Sequence, residues 1–177
     1  MKTRDLVKIG LFAILTAIGA YISIPFFYVP FTLQIVFTIL SGILLGAKNA
    51  LYSQIVYLLL GLIGLPVFSG GTGGIQTVLK PSFGYIIGFI FGAFIIGKII
   101  EQYKNLNIIN VFLATIVGLM VIYLFGVTYL YIILNLYMQK QTTLFWVLKN
   151  GFLIFLPVDM LKCFIATVIG IKLKKHI

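Results

Sequence analysis

Residues Phe83 to Glu101 read FGYIIGFIFGAFIIGKIIE, a run whose first charge is Lys98. It shows no polar alternation, as a half-buried strand would, and it is long enough to cross a hydrocarbon core of about 30 Å as a helix. Backbone polar groups in lipid must be satisfied within the segment, which favours a helix for a continuous apolar run. Gly84, Gly88 and Gly92 recur every four residues and lie on one face, where a neighbouring helix can approach closely.

The rest of the chain extends this reading. Apolar residues make up 62% and charged residues 9% of 177 positions, against roughly 45–50% and 25% in soluble domains. The expectation is an all-α membrane protein with six transmembrane helices, at about 6–27, 31–47, 50–67, 83–101, 108–134 and 144–172. No polar linker separates them, so residues 1–177 are read as a single integral membrane domain. The basic start, Lys2, Arg4 and Lys8, imitates a signal peptide, but the following spans make it a first membrane helix. Ala47-Lys48-Asn49 is the short turn between the second and third spans, and Gly42 and Gly46 form a GxxxG packing pattern.

Charge sorts by side. With both termini cytoplasmic, Lys2, Arg4, Lys8, Lys48, Lys98, Lys104, Lys172, Lys174 and Lys175 lie inside, and Lys80, Lys140 and Lys149 outside. That bias follows the positive-inside rule, so the net charge of +10 reads as topology rather than as a nucleic-acid footprint. Cys163 stands alone in an apolar run, an inert buried thiol that excludes a disulfide framework. Asp5 and Glu101 sit beside basic loop residues and are read as solvated, and His176 lies at the chain end. No carboxylate pair, nucleophile with a base or metal cluster is apparent, which argues against an enzyme.

Two stretches carry the candidate chemistry. In Phe155-Leu156-Pro157-Val158-Asp159-Met160-Leu161-Lys162, Asp159 and Lys162 share a helix face inside the last apolar run. Intramembrane charges cost about 2.5–3.5 kcal/mol each on insertion scales and commonly mark a pathway or binding site. The alternative is mutual neutralisation that merely holds the bundle. The run from Leu144 to Leu173 is too long for one straight span; a break at Pro157 would put Asp159 in the first turn of the inner piece, where the helix dipole favours it.

The second stretch, FSGGTGGIQTVLKPSFGY at 68–85, imitates a phosphate loop. Lys80 is followed by Pro81, no glycine precedes it and no strand is available, so a Walker motif is excluded. By orientation the segment also faces outside, away from ATP. It is either a flexible connector or an outer loop that brings Gln76, Thr77, Lys80 and Tyr85 toward a site. Ala13 and Ala17 have small-xxx-small spacing, which by itself favours packing inside the bundle over contact with another protein.

Taken in order, Val29-Pro30-Phe31-Thr32-Leu33-Gln34, Gly61-Leu62-Ile63-Gly64-Leu65-Pro66-Val67-Phe68 running into Gly70-Gly71-Thr72-Gly73-Gly74, Pro81-Ser82-Phe83-Gly84-Tyr85 and Leu156 to Lys162 resemble the BioY family. These are the biotin-specific S components of energy-coupling factor (ECF) transporters. The resemblance implies an ECF S-component fold in the plasma membrane of a prokaryote, and capture of biotin from outside. It implies as partners a transmembrane coupling protein (the T component) and a cytoplasmic ATPase pair, so that ATP is used by the partners and no cofactor belongs to this chain. It also implies that Asp159 and Lys162 match the family's last-helix pair, and that Ala13 and Ala17 face the coupling protein. Biotin's ureido ring would suit Asp159 with Lys162 or Gln76. Its apolar rings suit Phe83, Tyr85, Trp146 or Phe152, and its carboxylate suits Lys80, Lys149 or backbone N–H groups about Gly73 and Gly74. An S component for another vitamin and a non-transporting membrane scaffold are the competing expectations.

Overall fold

A computed structural model describes residues 2–175, so His176 lies outside the described residues. The chain forms α1 (Thr3–Tyr21), a short antiparallel ribbon of β1 (Ser23–Ile24) and β2 (Phe31–Thr32), α2 (Gln34–Leu45) and α3 (Ala47–Leu62). After a 3₁₀ turn at Ile75–Leu79 come α4 (Phe83–Glu101) and α5 (Ile108–Ile132), the latter continued by a π turn at Ile133–Tyr137. The last run comprises α6 (Leu144–Leu148), a π turn at Lys149–Leu153 and α7 (Leu156–Lys174).

Six apolar helical runs are present among the described residues, but they are unequal. Phe83–Glu101, Ile108–Tyr137 and Leu144–Lys174 are long and apolar enough to cross a membrane, whereas α2 has 12 residues, about 18 Å at the α-helical rise. The expected helices 6–27 and 31–47 both ran into the ribbon. Pro25 and Pro30 cannot donate backbone hydrogen bonds, and the intervening chain turns back so that Ser23 pairs with Thr32 and Ile24 with Phe31. The third helix stops at Leu62 rather than reaching 67, because the backbone from Gly61 to Gly74 bonds to itself.

Small residues set the packing. The glycine stripe of α4 faces α5, where an added Cβ at Gly84 would lie 2.2 Å from the Tyr129 Cβ and at Gly88 2.7 Å from the Ile122 carbonyl oxygen. Gly42 meets Ile96 of α4 in the same way, while Gly46 serves instead as the one-residue hinge between α2 and α3, with a φ of 77°. The turn expected at Ala47-Lys48-Asn49 is therefore already helix. Glu101, expected in solvent, accepts from the first amide of α3, Ala47 N, at 2.8 Å, satisfying a helix N-terminus that no local cap serves. Asn107 caps α5 by accepting from Asn110 N. Cys163 is fully buried, as expected.

Candidate functional site

The last run breaks before Pro157. The π turn at Lys149–Leu153 and the two turn residues after it end at α7, whose first turn contains Pro157 and Asp159. Proline is well placed there because early helical N–H groups have no intrahelical acceptor. Three residues on, Lys162 folds back along the same face, and its ammonium lies 2.7 Å from Asp159 Oδ1. Asp159 is 2% and Lys162 8% exposed. Burial at this depth is tolerable because each charge is met by more than its partner. Tyr123 of α5 donates to Asp159 Oδ2 at 2.6 Å, and Lys162 Nζ donates to the Thr32 carbonyl of β2 at 2.8 Å.

The pair thus ties α7 to α5 and to the ribbon. An inner cavity of about 40 Å³ lies against it, walled among others by Phe31, Gln34, Tyr85, Phe89, Tyr123 and Phe155. Phe31 and Phe155 form an aromatic wall with centroids 4.3 Å apart, buttressed by Phe26 from the turn of the ribbon. An outer vestibule of about 320 Å³ continues from it, sharing Pro30, Ser69 and Ser82, and is lined by the ribbon turn and by Lys80. The connection between the Ile133–Tyr137 turn and α6 closes in from the side, with Lys140 Nζ 6.0 Å from the Tyr28 ring centroid and Trp146 of α6 edge-on to the same ring.

Tyr85 enters the inner cavity because two glycines leave room for it. A Cβ at Gly126 would lie 2.3 Å from its ring, and one at Gly151 2.8 Å from its hydroxyl. Its hydroxyl donates to the Gly151 carbonyl at 2.7 Å, within the π turn. Such turns leave carbonyls out of the regular ladder and often occur at functional sites.

The glycine-rich stretch is a folded plug rather than a flexible connector. Phe68, 2% exposed, drives its ring onto Gly61 and stands edge-on to Tyr57. The Phe68 amide donates to the Thr72 carbonyl, and the Gly74 amide to that of Gly61 at 2.7 Å. Tyr21 donates to the Pro66 carbonyl and Tyr129 to that of Val78, fastening both sides of the loop.

Of the residues singled out from sequence, Asp159, Lys162 and Tyr85 line the inner cavity and Lys80 the vestibule. Gln76 is exposed and donates to the Gly73 carbonyl. Gly73 packs against the Leu65 backbone, and Gly74 lies against the Gln76 side chain with its amide bonded to Gly61. Phe83 is buried against Tyr129. Phe152 supports Tyr123 edge-on, 4.8 Å between centroids, and Lys149 is exposed. Ala13 and Ala17, expected as a partner-facing pair, are unequally covered on α1. Ala13 is 1% exposed on the face of α1 that packs against α2 and α3, and Ala17 is half-buried beside the exposed Ile14 and Ile18.

Sequence reasoning missed Gln34, Tyr123 and Phe155 as wall residues. Phe155 precedes Asp159 by four positions and so shares its helix face. Gln34 stands at the end of the Val29–Gln34 motif, whereas Tyr123, in a long apolar run, carries no local signal.

These features define a helical membrane protein with a charged, loop-covered cavity at one end of its bundle. The family model of the BioY family matches residues 1–177, and the chain belongs to that family. It is 40% identical over 173 residues to "Biotin transporter BioY" of Thermotoga maritima, covering 97% of this chain and 96% of that one. It is 48% identical over 151 residues to "Probable biotin transporter BioY" of Lysinibacillus sphaericus, covering 85% and 76%. The crystal structure of an S-component for biotin from an ECF-type ABC transporter superposes with a TM-score of 0.87 at 28% identity, covering 99% of this chain and 95% of that one.

Proposed function

We propose that this chain is the biotin-capturing S component of an ATP-driven ECF-type importer, working as one integral unit over residues 1–177. The observation that carries this reading is the buried Asp159–Lys162 pair facing a cavity in a member of a family whose relatives are biotin transporters. The pair has hydrogen-bonding capacity to spare. Lys162 uses two of its three ammonium protons on Asp159 and Thr32, leaving one for a ureido carbonyl. Each Asp159 oxygen accepts one bond, and a carboxylate has about four lone-pair sites, leaving room for a ureido N–H.

The aromatic wall of Phe31, Tyr85 and Phe155 suits the fused rings, and Lys80 in the vestibule suits the carboxylate. An inner space of about 40 Å³ holds only a few waters, so the ring system enters with movement of that wall. No residue in the cavity is asked to do chemistry, and we assign no enzymatic activity.

The basic bias supports cytoplasmic termini in a multi-pass plasma-membrane protein, with the cavity end outside, where Lys80 and Lys140 lie. Energy would come from a partner ATPase pair through a T component docked along the outer face of α1, near Ala17. Equilibrium binding of biotin to the purified chain without partners tests the central claim: saturable retention is expected, and no retention would overturn it. Ala17→Trp should abolish co-purification with the T component while biotin binding persists.

A further inference from the structure

Gln34, the first residue of α2, lines the inner cavity from the side opposite in sequence to the charged pair and is 5% exposed. Its Nε2 donates to the Tyr57 hydroxyl oxygen at 2.6 Å. Tyr57, on α3, is fully buried and donates its own O–H to the Val67 carbonyl at 3.1 Å. These bonds fix a polarity. A phenol has one proton, and a backbone carbonyl can only accept, so once that proton is given to Val67 the Tyr57 oxygen can only accept from Gln34. The NH₂ end of the amide is therefore turned toward Tyr57.

The carbonyl end, Oε1, accepts no hydrogen bond among the described residues, yet it is not among the fully enclosed side-chain atoms left without a partner. It retains accessible surface in a residue that lines the cavity. The acceptor orientation is set from outside the cavity, by a hydroxyl whose proton is committed to the plug loop.

We propose that Gln34 is a specificity-determining acceptor for an N–H of the ligand, and that Tyr57 is the positioning residue that holds its amide in that orientation. The inference rests on the biotin reading above. A cyclic urea has two N–H donors flanking one carbonyl, and Asp159 on α7 with Gln34 on α2 supplies an acceptor from each of two packed helices. Loss of the Gln34 acceptor leaves one donor of a desolvated ring unpaired, which is how a site discriminates against molecules of similar shape.

The test uses the purified full-length chain, with biotin and its two N-monomethyl derivatives as probes. Gln34→Leu should weaken biotin binding about tenfold, the equivalent of one buried hydrogen bond. It should also narrow the preference for biotin over one of the two methylated isomers by a similar factor, while leaving the preference over the other isomer unchanged. That ratio is taken within one preparation, so incomplete folding cancels. Tyr57→Phe should weaken biotin binding several-fold in the wild-type background and have no further effect on Gln34→Leu. An unchanged preference in Gln34→Leu, or an equal effect of Tyr57→Phe in both backgrounds, would overturn the proposal even where wild-type biotin binding stands. Absence of biotin binding by the wild-type chain would overturn both readings.

Discussion

The charged pair of α7 and the glycine-rich plug from Gly61 to Gly74 both shape the same end of the bundle, one through helix spacing and the other through tertiary closure. Asp159 and Lys162 meet because residues three apart on a helix share a face. Phe68 meets Gly61 because the chain turns back on itself, with Gly64, Gly70, Gly71 and Gly74 all at positive φ. The first device holds charge in a buried setting; the second holds the loop whose Ser69 lines the same cavity. The contrast teaches that the charged device depends on mutual neutralisation, whereas the plug depends on the absence of a single methyl group.

The largest expected break is therefore electrostatic. Asp159→Ala strands the Lys162 ammonium and the Tyr123 hydroxyl and should cost about 3–5 kcal/mol of stability together with biotin binding. Replacing both residues by Asp159→Leu and Lys162→Met should recover part of the lost thermal midpoint in detergent without restoring binding, the remainder being the Tyr123 hydroxyl and Thr32 carbonyl left without partners. A single variant as stable as wild type would show that the pair is solvated after all. Next in size is Gly61→Ala, whose Cβ would lie 2.0 Å from the Phe68 ring. Overpacking of this kind costs about 1–3 kcal/mol, and proteolysis of the 61–74 loop should accelerate.

A smaller effect separates the pair from its surroundings. Tyr85→Phe removes the bond to the Gly151 carbonyl and should cost about 1 kcal/mol of stability, visible as a lowered thermal midpoint with the α7 pair intact. The smallest change is Gln76→Ala. The side chain is exposed and bonded to its own loop, so stability should stay within about 0.5 kcal/mol and biotin affinity within about twofold. A tenfold loss of affinity would move the ligand contact into the plug and erase the distinction between scaffold and site.

Much of this was legible in one dimension. The α4 boundaries, the packing role of Gly84, Gly88 and Gly92, the burial of Cys163 and the break before Asp159 all follow from local periodicity and proline chemistry. The β ribbon was not legible, because its strands are two residues each and lie within otherwise apolar helical-looking runs. Glu101 looked solvated beside basic residues, yet it caps a helix more than fifty positions earlier in the chain. Ala13 and Ala17 have a spacing that spreads them around one helix face, and only the neighbouring helices decide that Ala13 is covered while Ala17 is partly free.

By itself, then, the sequence determined a membrane solvent, helices as the spanning element and a charged pair on one helix face, since hydropathy, periodicity and i, i+3 spacing are properties of contiguous residues. The family was legible only as a resemblance of its ordered motifs. Tertiary structure decided what that pair faces. Tyr123, the stretch that carries both the Thr32 carbonyl and Gln34, and the Phe68 plug come from three separate segments, and hydrogen bonds and close packing between distant segments exist only once the bundle has closed.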